Sequence, residues 1–283
     1  MFSDSIALSQ FQSLRPSERL PVVFLGHGSP MNVITDNMWR DSWSQLGQAF
    51  ARRWSRPQLI LCISAHWLTE GWALTAMERP RTIHDFAGFP QELFDQRYPA
   101  PGAPAAAREI SRYVRQRASR PLDLDVRWGL DHGTWGVLQP MFPEADIAVL
   151  QLSMDYQRPP SEHYQLAQQL RGLRERGVLI VGSGNTVHNL RMMQRQAPPE
   201  QAYDWAIEFD ETVADWMAQG HLDALSEFQR LGAVARMAHP SHEHFLPLLY
   251  AAAAAHAGES CRFLTPNYQG ASVAMRSVVW GDG

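Results

Sequence analysis

The sequence predicts an α/β protein: one domain with a mixed, mostly parallel sheet flanked by helices. Three observations carry this. Short runs rich in β-branched residues recur along the 283-residue chain, and several are apolar at every position. Strands read that way when helices cover both faces of their sheet. Helical patterns separate the runs, as a crossover topology requires. No internal repeat or linker divides the chain, and the alanine run at 251–255 is the only low-complexity stretch.

Residues 1–20 have weak periodicity and read as an N-terminal extension. Strand-like runs follow at 21–25 (PVVFL), 58–65 (QLILCISA), 72–77 (WALTAM), 122–127 (LDLDVR), 146–153 (DIAVLQLS) and 178–184 (VLIVGSG). Between them, 103–118 is alanine-rich with apolar residues at helical spacing. The Pro-rich stretch 99–106 leads into it as a loop and cap. Residues 159–177 open on Pro and Ser and close on Gly, a pair of helix boundary signals. The strongest helical pattern is 198–220, where Trp205, Ile207, Phe209, Val213 and Trp216 supply the apolar residues. The tail, 262–280, reads as a final pair of strands.

Composition excludes several classes. Hydrophobic residues make up 45% and charged residues 19%, an ordinary globular balance. The formal net charge is -4 and no dense basic run occurs, which argues against nucleic acid as a partner. The apolar run at 245–257 is too short to span a membrane. No basic stretch followed by an apolar core opens the chain, so no secretory leader is expected. The two cysteines, Cys62 and Cys261, cannot build a disulfide framework and lack a CxxC partner. Both are expected to be small core residues in a reduced, cytoplasmic protein.

The eleven histidines carry the functional reading. His27 follows the first strand in GHGSP, between two glycines. His66 follows the second in CISAHW, and His188 the VLIVGSGN strand in GSGNTVHNL. His132 sits in DHGTWG, a turn between a strand and a helix. His239, His242 and His244 cluster in HPSHEHFLP. Ligands of open α/β sheets bind beyond the carboxyl ends of the strands. One histidine at such a place is ordinarily a hydrogen-bonded or surface residue; several on one rim are less readily accidental. Neutral imidazole is both the commonest metal ligand and the usual general base near neutral pH. A nitrogen and oxygen donor set suits Zn, Fe(II), Mn or Ni. Three protein ligands with open positions make a catalytic site.

The C-terminal cluster is ambiguous. If HEHFLPLLY opens a helix, Glu243 and His244 point about 100° apart and only one faces a metal. HExxH is absent, which weakens a metalloprotease reading. GSGNTVHNL lacks GxGxxG and GxxxxGK, and Ser29 and Ser183 lie outside any GxSxG, so nucleotide and serine-nucleophile chemistry are weak readings. Trp67 and Trp135 adjoin motif residues and are candidates to line a pocket for a flat ligand.

Taken together, FLGHGSPMNVI, SAHW, TIHDFAGFP, DHGTWGVLQPMFP, GSGNTVHNLR and HEHFLPLLY resemble the class III extradiol ring-cleavage dioxygenases, in particular their DOPA 4,5-dioxygenase-like branch. The resemblance runs from about Pro21 to Trp280, implying a catalytic domain over 21–283 after the extension. It implies an α/β fold with a metal at the strand ends and an enzyme that opens the ring of a catechol, such as L-DOPA, with O2. By motif, His27 and His66 become metal ligands and His244 the third, with Glu243 as its competitor. His188 becomes the acid/base residue or a fourth ligand, and His132 a second pocket histidine that contacts substrate or dioxygen. Fe(II) is implied for activity, with zinc as another ion bound by related proteins. His84 and Phe89 are expected to face the substrate. The alternative is a zinc-dependent hydrolase on the same scaffold, with Glu243 as the water-activating base. A non-catalytic module without metal ranks last.

Overall fold

Runs that are apolar on both faces can form strands only where both faces are covered. In the computed structural model, which describes residues 11–115 and 121–282, they form β1 (Val22–Gly26), β2 (Leu59–Thr69), β3 (Trp72–Thr75), β4 (Leu122–Asp125), β5 (Ala148–Asp155) and β6 (Val178–Gly184). With β7 (Cys261–Leu264) and β10 (Ser277–Trp280) they make one eight-stranded sheet of order β4-β3-β5-β2-β6-β1-β10-β7. The centre, β5-β2-β6-β1, is parallel. β3 runs antiparallel to β5, and β10 antiparallel to β1. β8 (Tyr268–Gln269) and β9 (Val273–Ala274) form a separate ribbon. The mixed, mostly parallel sheet expected from the sequence is therefore present.

The helices are α1 (Met38–Arg53), α2 (Gln91–Phe94), α3 (Pro104–Arg115), α4 (His132–Met141), α5 (Pro160–Leu170), α6 (Asp204–Ala218), α7 (Ala233–Ala238) and α8 (Leu246–Ala254). Strand alternation sends Val22, Phe24, Leu59, Leu61 and Ile180 to one face, where α3, α5, α6 and α8 pack. Val23, Leu25, Ile60, Cys62 and Val181 go to the other, under α1 and α4. The alanine run is the buried body of α8, where small side chains let the helix lie close to the sheet.

Several elements differ from the sequence patterns. α6 starts at Asp204, so 198–203 is loop. The 159–177 segment is α5 followed by a tight 3-10 stretch to Arg176, stopped by Gly177 at φ 68°. The tail holds four short strands instead of two, with Thr265, Gly270 and Ala271 at positive φ between them. Of the pattern at 103–118, residues 116–118 lie outside the described residues. No pattern marked 38–53, which is α1, capped where the Asn37 side chain accepts from the Trp39 and Arg40 amides. From the first twenty residues, Phe11, Leu14 and Leu20 are buried.

One buried charge ties distant segments together. Arg174 is fully buried and donates to the carbonyls of Leu20 (2.7 Å) and Ala254 (2.9 Å) and to Glu259 (2.7 Å).

Candidate metal centre and active site

β1 ends at Gly26 because there is no room for a side chain: a Cβ there would lie 2.7 Å from the Met275 backbone. Gly28, at φ +57°, then turns the chain in a conformation L-residues rarely adopt. Between them, His27 is held to the end of β6 by its amide, which donates to the Gly184 carbonyl at 3.1 Å. Asn32 donates to the His27 carbonyl at 3.0 Å, and Gln269 donates to Asn32 at 2.9 Å.

His66 lies inside β2, not past its end. The β2–β5 register slips between Ile63 and Leu68, where the four residues 64–67 of β2 lie opposite Ser153 alone. Such a bulge re-aims a side chain, and this one carries His66. Beneath it, the Ser64 hydroxyl donates to Asp131 at 2.7 Å, and Asp131 also accepts from the Thr134 amide to cap α4. Burial and the nearby Asp85 carboxylate push Asp131 up to about 6.

Glu243 and His244 do not lie in a helix. α8 begins at Leu246, so the argument from helical angles fails and both side chains reach the same place. The His244 carbonyl accepts from the Asn185 amide at 2.9 Å, which fixes this turn beside β6. His188 lies four residues beyond β6. Its amide donates to Ala238 at 2.9 Å, and it bridges to Val273.

His27, His66, His132, His188 and His244 thus line one cavity of about 540 Å³. The His27, His66 and His244 ring centroids are 5.1–5.3 Å apart, and a nitrogen from each lies within 4.8 Å of the others. Their tautomers follow from their partners. The Ser183 hydroxyl spends its hydrogen on the Gly133 carbonyl at 2.5 Å, so it accepts from His27 Nδ1 at 3.0 Å. His66 Nδ1 faces Asp85 at 3.2 Å, and His244 Nδ1 faces Glu243 at 3.0 Å. Each Nδ1 therefore carries the proton and each Nε2 keeps a lone pair. Yet His27 Nε2 and His66 Nε2 are only 3.2 Å apart. Two lone pairs at that distance repel unless a cation lies between them. Metal-bound histidines typically show this pattern, with the outer nitrogen donating to a carboxylate or another oxygen. The donor set fits a metal ion.

Burial holds all three rings well below the ordinary imidazole pKa, and the neighbouring imidazoles add to this. Asp85 moves the other way. Burial alone would raise it, but the side-chain and backbone hydrogen bonds from His132 (each 2.9 Å), together with His66, hold it at about 2. His188 stacks on His244 with centroids 3.5 Å apart and planes 9° apart. Among the described residues neither of its ring nitrogens has a hydrogen-bond partner. Burial, partly opposed by Glu243, lowers it to about 4.

Other expected site residues fall elsewhere. Phe89 lines the cavity, but His84 sits behind Phe86 and donates to the Gln96 carbonyl. Trp135 is a core residue whose indole donates to Ile83, and Trp67 stacks on Trp128. Neither lines the cavity. His239 is buried against the Thr186 carbonyl, and His242 stacks on Tyr156. The residues that sequence reasoning missed are Asp85, Ser183, Asn32 and Gln269, which orient the histidines or their loops. Asp85, Asn32 and Ser183 lie within the quoted motifs without any mark of this role; Gln269 lies outside them.

A cluster of imidazoles beside the parallel strands of an α/β sheet is a donor set of the kind metal-dependent enzymes use. Residues 21–276 match the family of the catalytic LigB subunit of aromatic ring-opening dioxygenases. The chain belongs to this family and is an extradiol ring-cleavage dioxygenase. It is 43% identical over 270 residues to an Escherichia coli K12 protein named 4,5-DOPA dioxygenase extradiol, covering 94% of this chain and 96% of that one. A Beta vulgaris protein of the same name is 34% identical over 253 residues, covering 87% and 91%. The crystal structure of an uncharacterized Escherichia coli K12 protein superposes with a TM-score of 0.77 at 38% identity, covering 93% of this chain and 100% of that one. Among the described residues, no helix is long and apolar enough to cross a membrane.

Proposed function

We propose that His27, His66 and His244 hold Fe(II) through Nε2, and that the protein cleaves a catechol beside its diol, with L-DOPA or a relative opened at the 4,5 bond. The observation that carries this is the convergence of three Nε2 lone pairs whose Nδ1 partners are each already engaged. The relatives named as 4,5-DOPA dioxygenases support the substrate class. A redox-capable ion there supplies the electron relay between an electron-rich diol and dioxygen, which zinc, lacking an accessible redox change, does not.

The chain's own groups do the rest. Ser183, Asp85 and Glu243 fix the three rings. His188, with unengaged nitrogens facing the cavity, accepts a proton from a catechol hydroxyl. A neutral imidazole lining the cavity is suited to this proton transfer. His132, backed by Asp85 at 2.9 Å, is a second proton-handling group, lining the cavity beside His66. Phe86, Phe89 and Met31 give the aromatic ring an apolar wall and exclude water. Nothing favours the hydrolase alternative: one Glu243 oxygen already accepts from Ser241 and His244.

The test is anaerobic loading with Fe(II), then addition of air and a panel of catechols. Oxygen uptake with formation of a coloured ring-opened product is expected, and zinc loading should give neither. Iron-loaded protein that consumes no oxygen with any catechol overturns the proposal.

A further inference from the structure

The cavity has two chemically different ends. The inner end carries the histidines. Phe86, Phe89, Leu190 and Met193 supply apolar lining. At the outer, exposed end stands Arg195, among the described residues the only Lys or Arg on the lining. It also borders an open groove lined by Gln194, Gln196, Ala197 and Gln201. Among the described residues no Asp or Glu lines either space. Among the described residues the Arg195 guanidinium has no ion pair and no hydrogen bond. Its backbone, by contrast, is pinned. The Gln194 amide donates to Gly270 at 2.9 Å, and the Ala197 amide closes a turn on the Gln194 carbonyl at 2.9 Å. The Gln194 side chain is held in turn by the Tyr203 hydroxyl at 2.7 Å.

An unpaired guanidinium on a fixed turn, across an apolar wall from the candidate metal end, is placed to meet an anion carried by the substrate. Guanidinium recognises a carboxylate through paired N–H donors. We infer that Arg195 is a specificity-determining residue that selects catechols bearing a carboxylate on the ring side chain, with the amide groove accepting the remaining polar atoms of that side chain. This rests on the ring-cleavage reading above only in assigning the diol to the histidine end.

The test compares 3,4-dihydroxyphenylpropionate with 4-ethylcatechol, which has a similar ring and tail but no charge. Wild type, Arg195→Gln and Arg195→Lys are each loaded with Fe(II). For wild type, kcat/KM should favour the acid. In Arg195→Gln the acid-to-neutral ratio should fall about tenfold, the scale of one charged contact at a partly solvated site. The change should appear in KM for the acid and not in kcat. Arg195→Lys should restore part of the ratio by keeping the charge. An unchanged ratio in Arg195→Gln, or a wild type with no preference for the acid, overturns the inference while leaving ring cleavage standing. If no catechol is turned over, the ring-cleavage reading falls instead. Anaerobic calorimetric titration with the same two compounds then decides the inference: a ratio of Kd values lowered by Arg195→Gln supports it, and an unaltered ratio overturns it.

Discussion

Replacing Ser183 with alanine tests how His27 is aimed. The Ser183 side chain is fully buried and makes two hydrogen bonds, accepting from His27 Nδ1 and donating to the Gly133 carbonyl. Alanine fits the space but leaves both partners buried without a mate. An orphaned buried group costs about 1–3 kcal/mol, so the two together predict a loss of about 2–6 kcal/mol in stability. Only the His27 share bears on the metal. Freed from its acceptor, His27 can take the other tautomer or rotate, and either removes the Nε2 lone pair from the centre. Loss of such an orienting partner typically weakens metal binding about 10–100-fold, which is about 1.4–2.8 kcal/mol and matches the cost of one orphaned group. The assay is competition of the folded protein with a chelator of known affinity, read by metal content, alongside a thermal melt in chelator. Ser111→Ala is the control. Ser111 is also buried and donates to a carbonyl, that of Leu122 at 2.6 Å, but it lies between α3 and β4, outside the cavity lining. It should lose stability without losing metal. If Ser183→Ala binds metal as tightly as wild type, the tautomer argument is wrong.

Two further predictions separate function from stability. His27→Ala should remove metal and activity together, whereas His188→Ala should keep most of the metal and slow turnover; elemental analysis beside oxygen uptake distinguishes them, and loss of metal in both would make His188 a ligand. Arg174→Met should destabilise by about 3–5 kcal/mol, read as a lowered denaturation midpoint, because it removes the buried partner of Glu259 and leaves that carboxylate, among the described residues, only the exposed Arg19 at 3.5 Å as a cationic partner. Burial would raise Glu259, but Arg174 holds its pKa below the ordinary carboxylate value. The pair's contribution is therefore present above pH about 4.3, the unfolded value, and is lost as pH falls through the lower folded value. Wild type should lose stability over that acid range more steeply than Arg174→Met; parallel pH profiles would refute the pairing.

The strands were legible because full burial leaves an unmistakable mark: Leu59 to Ile63 and Val178 to Val181 have no polar position to place outside. α1 was harder to see. Its buried Trp39, Trp43, Leu46 and Phe50 do have helical spacing, but Gly47 and the intervening charged residues dilute it. Gly47 is itself dictated by α4, since a Cβ there would collide with the Met141 carbonyl. The histidines were visible as residues, and they share one cavity. How they are held was not visible, because most orienting contacts, unlike Asn32–His27 and Glu243–His244, are remote in sequence. Ser183 is 156 positions from His27, and Asp85 is 47 from His132. The His66 bulge exists only relative to β5, so nothing local announces it. The Glu243–His244 contact was within reach. Pro247 in the first turn of α8 marks where that helix begins, and places both residues in the turn before it.

The end of β6 explains why the three imidazoles can share one centre. This strand lies between β2 and β1 in the parallel core. Its last two residues and the one that follows support two of the three donors: Ser183 accepts from His27 Nδ1, the Gly184 carbonyl accepts from the His27 amide, and the Asn185 amide donates to the His244 carbonyl. The third, His66, comes from the adjacent strand, whose Ser64 pairs with Ser183 in the β2–β6 register. The separations among the donors are thus set by backbone hydrogen bonds of the sheet core, the part of a fold least able to open locally. The cavity walls have a different origin. Phe86, Phe89, Leu190, Met193 and Arg195 all lie outside the strands, on connecting segments. Such segments can change without moving the scaffold beneath them. In this arrangement the sheet fixes what the centre can do to a ring, and the loops decide which ring reaches it.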